Sequence, residues 1–245
     1  MLNSKVAFVT GGSRGIGAAI AVRLAREGAA VALTYARSKD AADEVVRAIQ
    51  EEGGRAVAIL ADSAREGAII RGMREAVEVF GGLDILVNNA AVKLSGDVSD
   101  FSMKDLDLMI AVNIKGVVTA VQEALLHMGR DGRIINIGSI SSDYMPMPGH
   151  AIYAMTKAAI AGLTRGLVRD LGPRGITVNN VQPGRVETVM LRSALGSSLD
   201  AVKAAIPLQR LGRPEEVAAM VAFLAGPESG FVNGAHLRVD GGLSA

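Results

Sequence analysis

The sequence contains no cysteine and no tryptophan, and each absence excludes a class of protein. Without cysteine the chain cannot form disulfides, carry a thiolate nucleophile or hold zinc or iron–sulfur clusters through sulfur. The three tyrosines and five phenylalanines leave little aromatic material for stacking nucleic-acid bases. Because 26 basic residues nearly cancel 25 acidic ones, no bulk positive field attracts nucleic acid or an anionic membrane. We therefore expect neither as a partner.

Metal ligands and long apolar runs are also scarce. The three histidines, His127, His150 and His236, lie far apart and form no paired motif, so no protein-built metal site is expected. The longest apolar run, 217–225, has nine residues, whereas a membrane helix needs about 20. The first residues lead directly into a short apolar run and show no signal-peptide pattern. The compartment predicted from these absences is the cytoplasm.

The chain does have a regular alternation of apolar patterns. Its 245 residues are 49% hydrophobic and 21% charged, a balance typical of a globular protein with a sizeable core. The predicted strands are Val6–Thr10, Ala30–Thr34, Ala56–Leu60, Ile85–Asn88, Arg133–Ile137, Thr177–Val181 and Leu237–Val239. The predicted helices are Gly17–Glu27, Ala41–Glu52, Glu66–Phe80, Asp105–His127, Ile152–Leu171 and Pro214–Leu224. The alternation predicts one α/β domain over residues 1–245, a Rossmann-type doubly wound sheet of seven parallel strands with helices on both faces.

One segment departs from this alternation. Residues 187–213 contain Gly196-Ser197-Ser198 and return to a strong helix signal only at Pro214. Insertions of this length in compact domains often cover a binding site. The segment is interpreted as a substrate lid, with a plain surface excursion as the alternative.

The first predicted strand runs into a glycine-rich turn, and a helix follows at once. The turn reads Thr10-Gly11-Gly12-Ser13-Arg14-Gly15-Ile16-Gly17. Glycines here allow a tight turn and a close approach of the backbone to a pyrophosphate, which the helix N-terminus attracts. An ordinary turn could have the same glycines, but the position in the first strand–helix unit favours a dinucleotide site. Its candidate residues are Gly11, Ser13, Arg14, Gly15, Ile16 and Gly17.

The end of the second predicted strand indicates which dinucleotide binds. A site selective for NAD usually has an acidic residue there, whereas this sequence continues Tyr35-Ala36-Arg37-Ser38 without a carboxylate. Arg37 and Ser38 could hold a 2′-phosphate beside Tyr35, and Arg14 adds a second guanidinium. The pattern favours NADP(H) as the cofactor, with a merely solvated Arg37 as the alternative.

Several motifs then occur in a characteristic order. They are Thr10-Gly11-x-x-x-Gly15-x-Gly17, Asn88-Asn89-Ala90, Asn113, Ser139, Tyr153-x-x-x-Lys157 and Pro183-Gly184. In this order and spacing the chain resembles the short-chain dehydrogenase/reductase family over almost its whole length. The stretches 212–217 and 239–242 resemble the members that act on 3-oxoacyl-carrier-protein. The resemblance implies an NADP(H)-dependent oxidoreductase, usually a homotetramer, that acts on a small-molecule carbonyl substrate.

The resemblance also implies roles for individual residues. Ser139 corresponds to the catalytic serine, with Ser141 and Ser142 as rivals. Asn113 corresponds to a residue that opens its helix and holds a water that relays protons to the lysine; a tolerated polar residue is the alternative. For the cofactor, the resemblance assigns Asp62 with Ser63 to the adenine, Asn89 and Ala90 to the adenosine ribose, and Pro183, Gly184, Val186 and Thr188 to the nicotinamide side. Ser63 and Ala91 differ from the residues common there, and the Ser139–Tyr153 spacing is one longer than in the carrier-protein reductases.

Tyr153 and Lys157 also follow from an independent argument. They are four residues apart on a predicted helix, so their side chains share one face. A lysine ammonium about 5 Å away would stabilise a phenolate by roughly 3 kcal/mol, which lowers the tyrosine pKa by about two units and favours a proton donor. A surface pair without a role is the alternative. By resemblance, both residues also contact the cofactor.

The substrate side is the least determined part of the sequence. Pocket-lining residues are expected in the loop before Tyr153 and at the start of the lid: Tyr144, Met145, Met147, His150, Met190 and Leu191. His150 could be a second proton donor, but a partly exposed loop histidine is favoured. A carbonyl reductase is predicted, with an alcohol or sugar dehydrogenase as the alternative. A nucleotide-binding regulator also stays open, because Asp62-Ser63 and Asp143-x-Met145-Pro146 resemble family members associated with cyclic dinucleotides.

Overall fold

Strands and helices alternate along the chain as the apolar pattern predicts. The computed structural model describes residues 2–188, 191 and 199–245. The strands are β1 Val6–Val9, β2 Ala30–Tyr35, β3 Arg55–Leu60, β4 Ile85–Asn88, β5 Arg133–Ile137, β6 Thr177–Pro183 and β7 His236–Val239. The helices are α1 Gly15–Arg26, α2 Lys39–Glu51, α3 Glu66–Phe80, α4 Met103–Ile110, α5 Gly116–His127, α6 Ala151–Leu171, α7 Leu199–Ala204 and α8 Pro214–Ala225. Each predicted strand is present, with boundaries displaced by at most two residues.

The seven strands form one parallel sheet in the order β3-β2-β1-β4-β5-β6-β7. Successive side chains of a strand point to opposite faces of the sheet. Val31 and Leu33 of β2 therefore pack in a core with α1 and α8, whereas Ala32 packs in a second core with α3 and α5. Both faces are buried, which explains why the strands are apolar at consecutive positions. The predicted single-domain, doubly wound α/β fold is confirmed.

The strand order places the candidate residues on one edge of the sheet. β1 lies between β2 and β4, so the chain winds away from β1 in both directions. Open sheets of this kind bind ligands at the carboxyl ends of the strands beside such a switch point. The glycine-rich turn follows β1, Asn89 follows β4, Ser139 lies just beyond β5, and Gly184 follows β6. Four distant parts of the chain thus meet at this edge.

The helix predicted over Asp105–His127 is not continuous. α4 ends at Ile110, and a π-helical turn, Ala111–Lys115, joins it to α5. The helical stretch is thus opened at the turn that contains Asn113, as the resemblance predicts, and it begins two residues earlier than expected. By length and composition, Met103–His127 is apolar enough to cross a membrane, but more than half of its most apolar window is buried inside the fold. It is a core helix that covers one face of the sheet.

The segment interpreted as a lid leaves the sheet after β6. Residues 189–190 and 192–198 lie outside the described residues, so its function as a lid stays a prediction. At its base, the N–H of Glu187 donates to the carbonyl of Gly212 at 2.8 Å, and the N–H of Gly212 donates to the carbonyl of Arg185 at 2.9 Å. Ile206, near the end of the segment, is buried. The two ends of the excursion are therefore joined at the edge of the sheet.

Candidate active site

The glycine-rich turn after β1 has no room for larger residues at its key positions. Gly11 and Gly15 have φ values of 65° and 56°, a region that glycine adopts without strain. A Cβ at Gly17 would collide with the carbonyl oxygen of Gly11 and lie 2.5 Å from Nδ2 of Asn89. At the start of α1, the residue Arg14 makes no side-chain cap. The first N–H groups of the helix therefore receive no hydrogen bond from the Arg14 side chain. A helix N-terminus of this kind favours an anionic group.

Polar groups from neighbouring strands fix the shape of this turn. Thr10 Oγ1 accepts hydrogen bonds from the N–H groups of Asn89 at 2.9 Å and Ala90 at 3.0 Å. The Asn89 amide donates to the carbonyls of Thr10 and Gly11, both at 2.9 Å. The N–H of Gly11 donates to Thr34 Oγ1 at 3.0 Å. Asn89 therefore holds the turn, in addition to the ribose contact that the resemblance predicts.

Replacing Gly17 by alanine tests how closely the turn is packed. The added methyl must displace the Gly11 carbonyl or the Asn89 amide, so we expect Gly17→Ala to lower stability by about 1–3 kcal/mol. Thermal unfolding followed by circular dichroism measures the change. Gly162→Ala is the matched control, because a Cβ at Gly162 in α6 would meet nothing within 4 Å and alanine favours a helix. Equal Tm values for Gly17→Ala and the unchanged protein would contradict the expectation.

Cations without acidic partners lie near the end of β2. Tyr35 closes the strand and is buried. Arg37 and Arg14 are exposed, and neither forms an ion pair within the described part of the chain. Lys39, by contrast, forms an ion pair with Asp43 at 2.5 Å. The structure therefore leaves the two arginines predicted to hold a 2′-phosphate available for an anion, and their role stays a prediction.

Asp62 and Ser63 follow β3 on the same edge. One oxygen of Asp62 accepts a hydrogen bond from the N–H of Ala64 at 3.0 Å. Ser63 is buried, and its carbonyl lies so close to α5 that a Cβ at Gly116 would approach it to 2.6 Å. Both residues lie just beyond the carboxyl end of β3, and their contact with an adenine stays a prediction.

Ser139, Tyr153 and Lys157 come together where β5 meets α6. Lys157 is buried, and its ammonium donates to the carbonyl of Ile137, the last residue of β5, at 2.8 Å. The same ammonium lies 5.8 Å from the centroid of the Tyr153 ring. The Ser139 side chain lies close enough to Tyr153 to act on the pKa of that phenol, which it lowers. Three of the four side chains predicted to be catalytic, all but Asn113, therefore meet at this point of the sheet edge.

The two rivals of Ser139 are engaged in other hydrogen bonds. Ser141 Oγ accepts a hydrogen bond from Ser139 Oγ at 3.0 Å, and the N–H of Ser141 donates back to Ser139 Oγ at 3.1 Å. Ser142 Oγ donates to the carbonyl of Ser139 at 2.9 Å and accepts from Gln182 at 2.6 Å. Of these serines, Ser139 is the one whose side chain acts on the pKa of Tyr153.

The pKa values at this point differ from the expectation drawn from helical spacing. Burial raises the pKa of Tyr153 to about 12, although the Ser139 side chain and the positive charge of Arg185 act against the rise. Burial lowers the pKa of Lys157 to about 8. The predicted lowering of the tyrosine pKa by Lys157 is therefore wrong for this structure, because desolvation is the largest influence on both groups. Tyr153 keeps its proton at neutral pH.

Asn113 lies in the π-helical turn and connects two parts of the site. Its side-chain oxygen accepts from the N–H of Val92 at 2.8 Å, and its amide donates to the Val92 carbonyl at 2.9 Å and to Thr156 Oγ1 at 3.1 Å. Thr156 donates to the carbonyl of Tyr153 at 2.8 Å. Asn113 thus links the segment after β4 to the helix of Tyr153 and Lys157. The local opening of the helix is present, and the water relay stays a prediction.

The segment after β6 packs closely against its neighbours. The four residues predicted on the nicotinamide side end this strand or follow it: Pro183, Gly184, Val186 and Thr188. A Cβ at Gly184 would lie 2.6 Å from the Cβ of Asp240, so a larger residue would push the segment outward. The Thr188 methyl lies 3.4 Å from an ideal Cβ position at Gly15. The segment therefore reaches the glycine-rich turn.

The loop between Ser139 and Tyr153 is tied to the segment after β4. The N–H of Gly96 donates to the carbonyl of Gly149 at 2.9 Å, and Ser95 Oγ lies 3.0 Å from Nδ1 of His150. Tyr144 and Met147 have exposed side chains, Met145 and Leu191 are partly buried, and Met190 lies outside the described residues. His150 is partly exposed and lies in this loop, as expected. A role as a second proton donor stays the alternative.

Two cations that the sequence analysis did not single out lie beside this loop. Lys93 Nζ lies 5.5 Å from the centroid of the Tyr153 ring. Arg185, directly after Pro183-Gly184, donates to the sulfur of Met147 at 2.7 Å. Burial and the positive charge of Arg185 lower the pKa of Lys93. A charged residue immediately after an edge motif was the signal that could have identified Arg185.

Comparisons with known proteins extend over almost the whole chain. A family model described as enoyl-(acyl carrier protein) reductase matches residues 11–244. A short-chain dehydrogenase/reductase from Serratia marcescens BCRC 10948 has a TM-score of 0.96 and 54% identity, covering 100% of this chain and 99% of that one. A short-chain dehydrogenase from Burkholderia cenocepacia J2315, solved in complex with NADP, has a TM-score of 0.96 and 48% identity with the same coverage.

The names of two further relatives describe different functions. The cyclic-di-GMP-binding biofilm dispersal mediator protein of Escherichia coli K12 is 46% identical over 241 residues, 98% of each chain. A 3-oxoacyl-[acyl-carrier-protein] reductase of Staphylococcus epidermidis is 40% identical over 242 residues, 98% of this chain and 99% of that one. The resemblance inferred from the motifs is confirmed. The protein therefore belongs to the short-chain dehydrogenase/reductase family.

Proposed function

We propose that the protein is an NADP(H)-dependent carbonyl reductase that converts a ketone or a 3-oxoacyl carbonyl to an alcohol. The observation that carries the proposal is the meeting of Ser139, Tyr153 and Lys157 at the sheet edge that also holds the glycine-rich turn. A proton donor, a second hydroxyl and a buried cation at one point are what the reduction of a carbonyl group requires from a protein.

The residues at the sheet edge fit NADP(H). A Cβ at Gly12 or Gly17 would collide with its neighbours, so the backbone of this turn stays open beside a helix N-terminus, and such a cradle suits a pyrophosphate. The exposed Arg14 and Arg37 have no acidic partners within the described residues and suit a 2′-phosphate. Lys157 would hold the ribose next to the nicotinamide, and the NADP complex of the Burkholderia relative supports the assignment. When bound, NADPH supplies the hydride for the reduction.

The chain's own hydroxyl groups supply the proton. Tyr153 is protonated at neutral pH because its pKa is about 12, so it can donate to the carbonyl oxygen as negative charge develops there. Ser139 donates a hydrogen bond to the same oxygen and orients the carbonyl group. Ser139 interacts with the Tyr153 side chain, and we expect this proximity to let the two hydroxyl groups serve one oxygen atom.

Lys157 and Asn113 support the proton donor. The Lys157 ammonium is fixed by the Ile137 carbonyl, and its charge stabilises the phenolate that remains after the proton has left. Asn113 positions the helix of both residues through Thr156. A water held by Asn113 would return a proton by way of Lys157.

Turnover tests the reaction itself. We expect purified protein to oxidise NADPH with at least one member of a panel of ketones, 3-oxoesters and quinones, as followed by loss of NADPH absorbance. The same residues catalyse the reverse reaction, so alcohols and sugars with NADP⁺ form the second half of the panel. Turnover only with alcohols or sugars would favour a dehydrogenase. No turnover with either half would contradict the proposal.

Arg37→Asp tests the choice of cofactor. A carboxylate at this position would repel the 2′-phosphate and could accept a hydrogen bond from a ribose hydroxyl. We expect KM for NADPH to rise by at least about tenfold while KM for NADH stays the same or falls. Arg47→Asp, which makes the same charge change at an exposed position of α2, is the control. Equal changes for both cofactors in Arg37→Asp would remove Arg37 from the site.

Binding of a cyclic dinucleotide is a second candidate function. The observation that favours it is the 46% identity to the cyclic-di-GMP-binding mediator protein, extending over 98% of each chain. Calorimetric titration with cyclic di-GMP, with and without NADPH, tests it. Binding by a protein that turns over no carbonyl or alcohol would favour this candidate over the reductase.

The assembly proposed for the enzyme is a homotetramer in the cytoplasm, with residues 187–213 as the lid. Several large apolar side chains that are not part of the candidate site are exposed, and contact with other subunits would bury them. They are Val98, Met103, Leu108, Leu126 and Phe231. Size-exclusion chromatography with light scattering measures the mass in solution. A monomer at micromolar concentration would contradict the assembly.

A further inference from the structure

Two cations lie together on the substrate side of Tyr153. Lys93 Nζ is 5.5 Å from the centroid of the Tyr153 ring. Arg185 reaches the loop before α6, where its guanidinium donates to the sulfur of Met147 at 2.7 Å. Lys93 and Arg185 are both partly buried, and within the described ranges neither forms an ion pair with a carboxylate. The proton donor therefore has positive charge beside it that no acidic side chain balances.

The two cations act on each other and on the groups around them. Arg185 lowers the pKa of Lys93, and both cations together with burial lower the pKa of His150. Partial burial of two like charges without a counterion costs free energy, because each charge loses solvent and repels the other. An anion placed between or beside them would relieve both costs. The arrangement is thus complementary to a negatively charged group.

The cofactor does not account for these cations. The phosphate-binding features lie at the glycine-rich turn and at the end of β2, where Arg14 and Arg37 are exposed. Lys93 follows β4 instead, and Asn113 holds the adjacent Val92 through two hydrogen bonds. The Lys93 ammonium lies over the Tyr153 ring, 5.5 Å from its centroid, and so beside the residue that would protonate a carbonyl substrate.

We propose that Lys93 and Arg185 select a carbonyl substrate that carries a carboxylate or phosphate group a few bonds from the carbonyl carbon. This assignment rests on the proposed function, because it names the class of substrate that the same site reduces. The reacting carbonyl oxygen meets Tyr153 and Ser139, and the anionic group of the substrate meets Lys93 and Arg185. A neutral carbonyl compound of the same shape would leave the two cations unbalanced.

Matched pairs of substrates test the preference for charge. Phenylglyoxylate and its methyl ester differ in one carboxylate, and hydroxyacetone phosphate and hydroxyacetone differ in one phosphate. We expect kcat/KM to be at least about tenfold higher for the anionic member of at least one pair. The pair that shows the preference identifies the anion. Equal or higher kcat/KM for both neutral members would overturn the proposal.

Neutral variants show whether the preference comes from these two residues. Lys93→Gln and Arg185→Gln should each lower kcat/KM for the preferred anionic substrate about tenfold, with little change for its neutral partner or in KM for NADPH. Lys93→Arg should retain the preference. Lys104→Gln, at an exposed position of α4, is the matched control. Equal losses for anionic and neutral substrates would reduce both residues to a structural role and overturn the proposal.

Failure of the proposed function gives a different result. In that case no carbonyl compound, neutral or anionic, is reduced by the unchanged protein. The charge preference is then measured by calorimetric titration of the NADPH complex with phenylglyoxylate and its methyl ester. Tighter binding of the acid that is lost in Lys93→Gln supports the anion site without the reductase. Equal binding of acid and ester overturns it.

Discussion

Replacing Tyr153 by phenylalanine is expected to lower kcat/KM for carbonyl reduction by about 10³-fold. The substitution removes one hydroxyl group and keeps the ring that packs beneath Lys93 and beside Lys157. Ser139 can still orient the carbonyl oxygen, but the proton donor of the proposed reaction is lost. Steady-state rates of NADPH oxidation with saturating cofactor measure the loss.

Tyr144→Phe is the matched control for this loss. Tyr144 lies in the neighbouring loop and is 37% exposed, so removal of its hydroxyl should leave kcat within about threefold. The Kd of NADPH for Tyr153→Phe, measured by fluorescence titration, should stay within the same range. If Tyr153→Phe retains most of its kcat with an unchanged Kd, another group donates the proton.

Replacing Lys157 by methionine is expected to lower kcat/KM by about 10²–10³-fold. Methionine fills a similar volume, but it supplies neither the charge that stabilises the Tyr153 phenolate nor the donor that reaches the Ile137 carbonyl. Because removing a buried charge relieves its desolvation, we expect little loss of thermal stability. A large fall in activity with a nearly unchanged Tm would therefore show that the loss comes from the missing charge and not from unfolding.

The pH profile provides an independent readout of Lys157. Its pKa is lowered to about 8 by burial, so the group is charged below that pH and neutral above it. If the charge is needed, kcat/KM of the free enzyme should fall as the pH rises through about 8. Lys157→Met should lose this inflection, and Lys157→Arg should keep its charge through the same range. A profile of Lys157→Met with the same inflection would assign it to another group.

The fold could be predicted because its signals are local and repeated. Each strand is a short apolar run, and turn glycines such as Gly28, Gly53 and Gly81 end the helices with positive φ values. Boundaries moved by one or two residues where a ladder continued beyond the apolar run. β6 extends to Pro183, for example, because this residue pairs with Val239 of β7. Pairing with a neighbouring strand determines where a strand ends, and the sequence of a single segment does not show that pairing.

The site was predictable only where residues act through fixed spacing. Tyr153 and Lys157 share a helix face whatever surrounds them, so their proximity followed from the sequence. Their pKa values did not, because burial by other elements has the largest effect on both groups. Lys93 and Arg185 belong to segments after different strands, and only the sheet order brings them together. The sequence alone does not give the distance between these two residues in three dimensions.

The hydrogen bond between Thr10 and Asn89 has a consequence for how the protein acquires its site. The two residues are separated by 79 positions in the chain, yet this contact helps to shape the turn that begins at Gly11. Contacts between distant positions form slowly, because a long loop must close before they can stabilise anything. A nascent chain that has emerged only as far as β3 should therefore be unable to recognise a nucleotide. That capacity should arise only after β4 has docked beside β1.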